Sequence, residues 1–161
     1  MAMHAFISSR LDYSNPLYIG IEQSALRRLQ LVQNAAARLL TGTKRREHIT
    51  PVLADLHWLP VHFRIHFKVL LFAFKSLNGL APPYITELIE PYRPTRALRS
   101  ADQSLLVVPT MNLRTKGDRA FSAAAPALWN ALPLTIRRAQ SIGVFKSLLK
   151  THLFSLAFNV P

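Results

Sequence analysis

Between Ser24 and Thr41 the sequence SALRRLQLVQNAAARLLT sets Ala25, Leu29, Val32, Ala36, Leu39 and Leu40 on one side at helical spacing. The opposite side carries Arg27, Gln30, Asn34 and Arg38, a polar ridge of amide and guanidinium groups with no carboxylate to neutralise it. Ser24 suits the N-cap of this helix, and Gly42 suits the position after its last turn, where a left-handed residue ends the run. Three cations follow in the hinge, Lys44, Arg45 and Arg46. Thr50 and Pro51 then start a short helix toward Trp58. Threonine can accept from free N–H groups, and proline needs no hydrogen bond at the first helical position.

Pro60 opens a longer helix, VHFRIHFKVLLFAFKSLN, closed by Gly79. Phe63, Phe67, Leu70, Phe74 and Leu77 form one wide stripe on it, and Ile65, Val69 and Phe72 form another. Arg64, Lys68 and Lys75 share the narrow face between them. A helix that is apolar over most of its circumference belongs at the centre of a core, here with one basic edge left in water. A short helix, YITELIE, ends at Pro91. Residues 91–119 change character, with several prolines, the β-prone run SLLVVP, and cations at Arg93, Arg96, Arg99, Arg114, Lys116 and Arg119. Helical composition returns at RAFSAAAPALWNAL, interrupted by Pro126, and a last helix runs from Ser141 with Phe145, Leu149, Leu153 and Leu156 on one face.

This pattern predicts a mainly α fold, an irregular multi-helix bundle around the 61–78 helix with a short β strand or hairpin near 104–116. Residues 1–80 read as one helical region, 81–118 as a Pro/Arg-rich connector holding the β element, and 119–161 as a C-terminal helical region. The 161 residues, half of them apolar, suffice for one compact unit.

Charge changes the picture more than length does. Twenty Lys and Arg against eight Asp and Glu give a net charge of +12, which favours a polyanionic partner over a neutral ligand. The last quarter, residues 121–161, contains four cations and no acid. There is no cysteine, which excludes disulfides, thiolate zinc sites and cysteine nucleophiles. The N-terminus lacks the pattern of a secretory signal, and the longest uncharged run, Ala120 to Ile136, is broken by Pro126 and Pro133. It falls short of the roughly 20 apolar residues a spanning helix needs. The expectation is an intracellular chain, nuclear or cytoplasmic, with no membrane partner.

Candidate chemistry is sparse. His48, His57, His62 and His66 lie close in sequence, and His62 and His66 stand four apart on a helix. The glutamate of an HExxH site is absent, however, and Arg64 adds positive charge between them. The rings read more simply as a half-buried polar strip. No G-x-S-x-G elbow, phosphate-cradling glycine loop or paired aspartates occur, so neither a catalytic residue, a metal, a cofactor nor a small-molecule substrate is expected. Trp58 and Trp129 could stack on bases, but each lies among leucines and prolines, which points to core packing. The C-terminal helix could lie on an anionic membrane or cover the core, and its apolar face favours the core. The Lys44–Arg46 triplet has two readings. It can contact phosphates, helped by Arg38 and the N–H groups of the helix at Pro51, or it can be a solvated turn partly neutralised by Glu47.

Several stretches in order, SRLDYSNPL at 9–17, LQLVQNAAARLLTGTKRREHITPVLADLHWLPV at 29–61, FRIHFKVLLFAFKSLNGLAPPYI at 63–85, GDRAFSAAAPALWNALP at 117–133 and VFKSLLKTHLFSLAF at 144–158, make the chain resemble a known family. It is similar to the C-terminal part of reverse transcriptases of LINE-type (non-LTR) retrotransposons, the CR1/L2-like group. The resemblance implies that residues 1–80 belong to the thumb, the helical subdomain that holds template and primer, and that the endonuclease and the palm with its catalytic aspartates lie upstream. It therefore implies nucleic-acid binding without polymerase activity, with RNA or DNA backbone, and in the full-length family protein the palm domain, as partners. Ser14 stands where relatives carry Cys, and His66 where they carry Asp, which points to a truncated or decayed element copy. Arg27, Arg38, Lys44, Arg45, Arg46, Arg64 and Lys68 are the expected backbone contacts. The alternative, from a different class, is a helical protein-interaction scaffold or a fragment with no function.

Overall fold

The computed structural model describes residues 9–94, 103–110 and 120–159. Its helices are α1 (Gln23–Thr41), α2 (Ile49–Asp55), α3 (Val61–Leu77), α4 (Pro83–Thr86), α5 (Phe121–Asn130), α6 (Leu134–Arg137) and α7 (Ile142–Phe158), preceded by a 3-10 turn at Asn15–Tyr18. The chain is mainly helical, and no β-sheet forms among the described residues. It divides into two compact units, Met1–Ile65 with Thr151–Pro161, and His66–Lys150. The boundaries of these units fall inside α3 and α7.

In the first unit, α1 stops where expected, with Gly42 in the left-handed region at φ 69°. Its start differs. Glu22 holds the cap position, and the Ser24 hydroxyl instead donates to the Glu22 carboxylate at 3.4 Å. The buried side also differs from the one anticipated. Leu26, Gln33, Ala36 and Ala37 face inward, while Leu31, Val32, Leu39 and Leu40 are exposed. Small side chains decide this, because two alanines let α2 and the Trp58 ring come close to the α1 backbone. Ala36, Ala37, Leu53 and Trp58 form the core cluster, with Ile49, Val52, Leu56 and Phe158 packed around it. α2 begins at Ile49 with His48 in the cap position, so Thr50 lies inside the helix and does not cap it.

The Gln30 and Asn34 amides do not form an outward ridge. The Gln30 Nε2 group donates to Gln33 Oε1 (3.0 Å) and Asn34 Oδ1 (2.9 Å), and its Oε1 accepts the Val61 backbone N–H at 2.9 Å. Gln33 Nε2 donates to the Leu59 carbonyl at 2.9 Å, with Gln33 itself buried. The first N–H groups of a helix have no partner within it, and Gln30 supplies one for α3. The amides therefore belong to the fold of the first unit.

The second unit is built around rings. Phe145 stacks on Phe74 with centroids 4.3 Å apart and lies 5.8 Å from Trp129, and all three are buried. Val69, Leu70, Ala73, Leu106, Leu132, Ile136 and Leu149 are buried in the same unit. α5 runs through Pro126, which is itself buried. α7 begins as expected, Ser141 Oγ accepting the Val144 N–H at 3.3 Å, but Leu156 at its far end is exposed.

The expected β element reduces to a single antiparallel bridge between Pro91 and Leu106, with Tyr92 N–H donating to the Leu105 carbonyl and Val107 N–H to the Glu90 carbonyl, each at 2.9 Å. Residues 111–116 lie outside the described residues. Proline is compatible here because the flanking residues make the bonds, so no ladder donor is missing. On its other side Leu106 meets an amide side chain in place of a strand. Its N–H donates to Asn130 Oδ1 and its carbonyl accepts from Asn130 Nδ2, both at 2.9 Å. Trp129 Nε1 donates to the Ser104 carbonyl at 2.8 Å. Two consecutive α5 side chains thus satisfy a backbone that a longer sheet would otherwise have to satisfy.

Candidate nucleic-acid interface

The hinge after α1 is a built turn. Thr41 Oγ1 donates to the Ala37 carbonyl at 2.9 Å and meets the Thr43 hydroxyl at 2.6 Å, closing the helix end. Glu47 N–H donates to the Lys44 carbonyl at 3.1 Å, making a reverse turn over 44–47. Arg38, in the last turn of α1, reaches across with both ends of its fork. Nη1 donates to the Lys44 carbonyl, and Nη2 donates to the Glu47 carbonyl at 2.8 Å. Planar, divergent donors suit two carbonyls held apart by a turn, a geometry lysine cannot reproduce. Carbonyls are neutral, so Arg38 keeps its charge while holding the turn.

Lys44, Arg45 and Arg46 are exposed on this turn and make no ion pair among the described residues. The Glu47 carboxylate makes none with them either, so the neutralisation expected from it does not take that form. Arg27 is exposed on α1, as is Arg28, which the sequence pattern did not single out. Arg27 and Arg38 lie three turns apart on one side of the helix, about 16 Å along the axis.

Arg64 is placed differently from the expectation of a basic edge in water. Its Nε donates to Asp12 Oδ1 at 2.8 Å and its Nη2 to Asp12 Oδ2 at 2.6 Å, a two-pronged ion pair in which the Arg64 side chain is only 15% exposed. Asp12 Oδ1 also accepts from the Nδ2 group of buried Asn15 at 3.3 Å. Arg64 therefore anchors the segment before α1 and is not available to a phosphate. Asp12 is the residue the sequence pattern missed, and the available signal was the scarcity of acids, since a half-apolar helix with an arginine needs one of very few partners. Lys68, one turn further along α3, lies in the second unit and is partly exposed.

The remaining candidates resolve as structure. Trp58 and Trp129 are both buried, so neither ring offers a face to a base. Of the four histidines only His66 is half-buried, and the other three are more exposed than the expected strip. His48, His57 and His62 lie at the surface, His57 stacking on Phe154 at 5.6 Å. His62 meets the Phe63 ring edge-on at 5.2 Å, and desolvation of the imidazole pulls its pKa below the usual histidine value despite its surface position. Among the described residues no group of three or more His, Asp and Glu is placed to hold a metal ion. No helix among them is long and apolar enough to cross a membrane.

Compared with known protein families, curated proteins and solved structures, the chain matches none.

Proposed function

We propose that the chain binds a nucleic-acid backbone through the Lys44–Arg46 turn, with Arg27 and Arg28 extending the contact, as the thumb and C-terminal part of a LINE-type reverse transcriptase would. The chain carries no polymerase or endonuclease chemistry of its own in this reading. The observation that supports it is the triplet of exposed, unpaired cations on a turn whose shape Arg38 holds. A pre-shaped basic turn loses little freedom on meeting phosphates, and a net charge of +12 draws a polyanion to it. Such contacts position a backbone and do not read its sequence.

Salt tests the reading directly. Anisotropy of a labelled single-stranded RNA and of a primer-template duplex should report binding that weakens steeply with salt. Replacing Lys44, Arg45 and Arg46 by alanine should lower the slope of log K against log salt by about 2 to 3. The charge-neutral double substitution Asp12→Asn with Arg64→Gln should leave the slope as it is. Binding that ignores salt, or a triple variant that binds as before, would refute the proposal.

A second reading, a helical interaction scaffold, is favoured by one observation. Leu31, Val32 and Leu39 on α1 are each more than half exposed, an apolar face where a water-facing helix carries polar residues. It predicts salt-insensitive self-association that Val32→Glu with Leu39→Glu abolishes in sedimentation velocity, and little affinity for RNA.

A further inference from the structure

We propose that the chain associates with a second copy of itself through two unlike surfaces, the exposed apolar face of α1 in one copy seating on the stretch from Leu80 to Glu90 of the other. The inference rests on the apolar α1 face of the scaffold reading and adds what covers it.

On α1, Arg28, Leu31, Val32, Ala35 and Leu39 follow helical spacing along one side, and all five are exposed. Leu31, Val32 and Leu39 are each more than half exposed, and Ala35 between them leaves room for a side chain from a partner. Charge on this helix has one sign. Gln23–Thr41 contains Arg27, Arg28 and Arg38 and no acid.

The second surface follows Gly79. Leu80 and Tyr84 are more than half exposed and Leu88 nearly half. Tyr84 and Leu88 stand one turn apart, because Glu87 N–H donates to the Pro83 carbonyl at 2.9 Å and Leu88 N–H to the Ile85 carbonyl at 3.2 Å, carrying the coil past α4. Glu87 and Glu90 are exposed beside them and make no ion pair among the described residues. From Ser76 to Tyr92 the sequence holds no Lys or Arg. This apolar area therefore comes with acids from its own stretch, as that of α1 comes with arginines.

Charge decides which surfaces meet. Two α1 faces brought together would set Arg27 and Arg28 against their own copies, on top of the repulsion between chains of net charge +12. Seated on the 80–90 stretch, the same arginines meet Glu87 and Glu90. The other described acids do not offer this. Asp12 is held by Arg64, Glu22 accepts the Ser24 hydroxyl, and Glu47 lies on the basic turn. Between Leu40 and Leu80 no large apolar residue is exposed to accompany Asp55. Exposed ion pairs contribute little affinity, so the apolar contact carries the association and the charges select the surface. Because the two surfaces differ, a variant altered in one keeps the other.

Sedimentation velocity of the full chain without nucleic acid should show self-association in the micromolar range. Glu87→Lys with Glu90→Lys should weaken it at least about tenfold, and so should Arg27→Glu with Arg28→Glu. These variants move the net charge in opposite directions, so a general charge effect would not weaken both. Mixed in equal amounts they should associate again, since each supplies the surface the other has lost. Self-association that survives the Glu87 and Glu90 changes, as an α1-to-α1 contact would, overturns the inference and leaves the scaffold reading standing. Failure of the two variants to associate on mixing overturns it as well, and a parent chain that stays monomeric overturns both.

Discussion

Replacing Asn130 by alanine removes both partners of the Leu106 peptide at once, leaving a buried N–H and carbonyl unmet. The expected cost is about 2 to 3 kcal/mol by urea denaturation, with hydrogen exchange at Leu106 accelerated. Asp12→Ala strands the Arg64 fork in a partly buried site, and about 2 kcal/mol should be lost. A double-mutant cycle with Arg64→Met should return most of that, since removing both charges leaves nothing uncompensated. His62 contributes through pH. Its folded pKa lies below the ordinary 6.5, so below that pH the unfolded chain takes up the proton more readily than the folded one. Stability should therefore fall as pH drops below about 6.5, and His62→Gln should flatten that decline in denaturation midpoints measured across the range. Arg137 behaves in the opposite sense to a stabilising residue. Arg137→Met should raise the stability of the free chain by about 1 kcal/mol, because it removes buried donors that have no acceptor.

At the scale of elements, Gly42 offers the cleanest test. A β-carbon there would meet nothing within 4 Å, so the whole effect of Gly42→Ala is the left-handed backbone at φ 69°. It should cost about 1 kcal/mol, and Gly42→Asn less, since asparagine tolerates this region. The same helix marks where sequence reading succeeds and where it stops. Period and punctuation located α1, α3 and α7 within a residue or two, because Gly42, Gly79 and Ser141 act locally. Which side of α1 turns inward was not legible. The Leu, Val and Ala positions span most of its circumference, and the choice went to the side where Ala36 and Ala37 admit Trp58. Gln30 read as part of a polar ridge and Gln33 was not singled out, yet they serve the Val61 and Leu59 backbone, partners about thirty residues away that no local pattern announces. The 104–116 segment read as a strand from its β-prone residues, and it was an amide on a distant helix that took the place of a second strand.

For the whole molecule the decisive quantity is where charge remains unpaired. Seven candidate cations looked alike in the sequence. The structure sets Arg64 apart by its carboxylate and Arg38 by its two carbonyls, and leaves the triplet exposed. Affinity for RNA should then respond unequally. Single substitutions of Lys44, Arg45 or Arg46 to alanine should each lower the salt slope by a little under 1, whereas Arg38→Ala should also loosen the turn. That loosening should appear as faster amide exchange at Glu47 while α1 upstream stays protected.

The fork of Arg38 also bears on how this sequence can drift. If Lys44, Arg45 and Arg46 contact phosphates as proposed, arginine and lysine should exchange freely at these positions, because a phosphate asks only for charge there. At 38 they should not exchange, because one ammonium cannot span the two carbonyls that Arg38 holds. Related sequences released from selection on the turn should keep their basic character long after the turn has lost its form. Selection for the turn is therefore to be sought in the ratio of Arg-to-Lys changes at 38 against those at 44–46, a comparison that needs only a set of aligned related sequences and no purified protein.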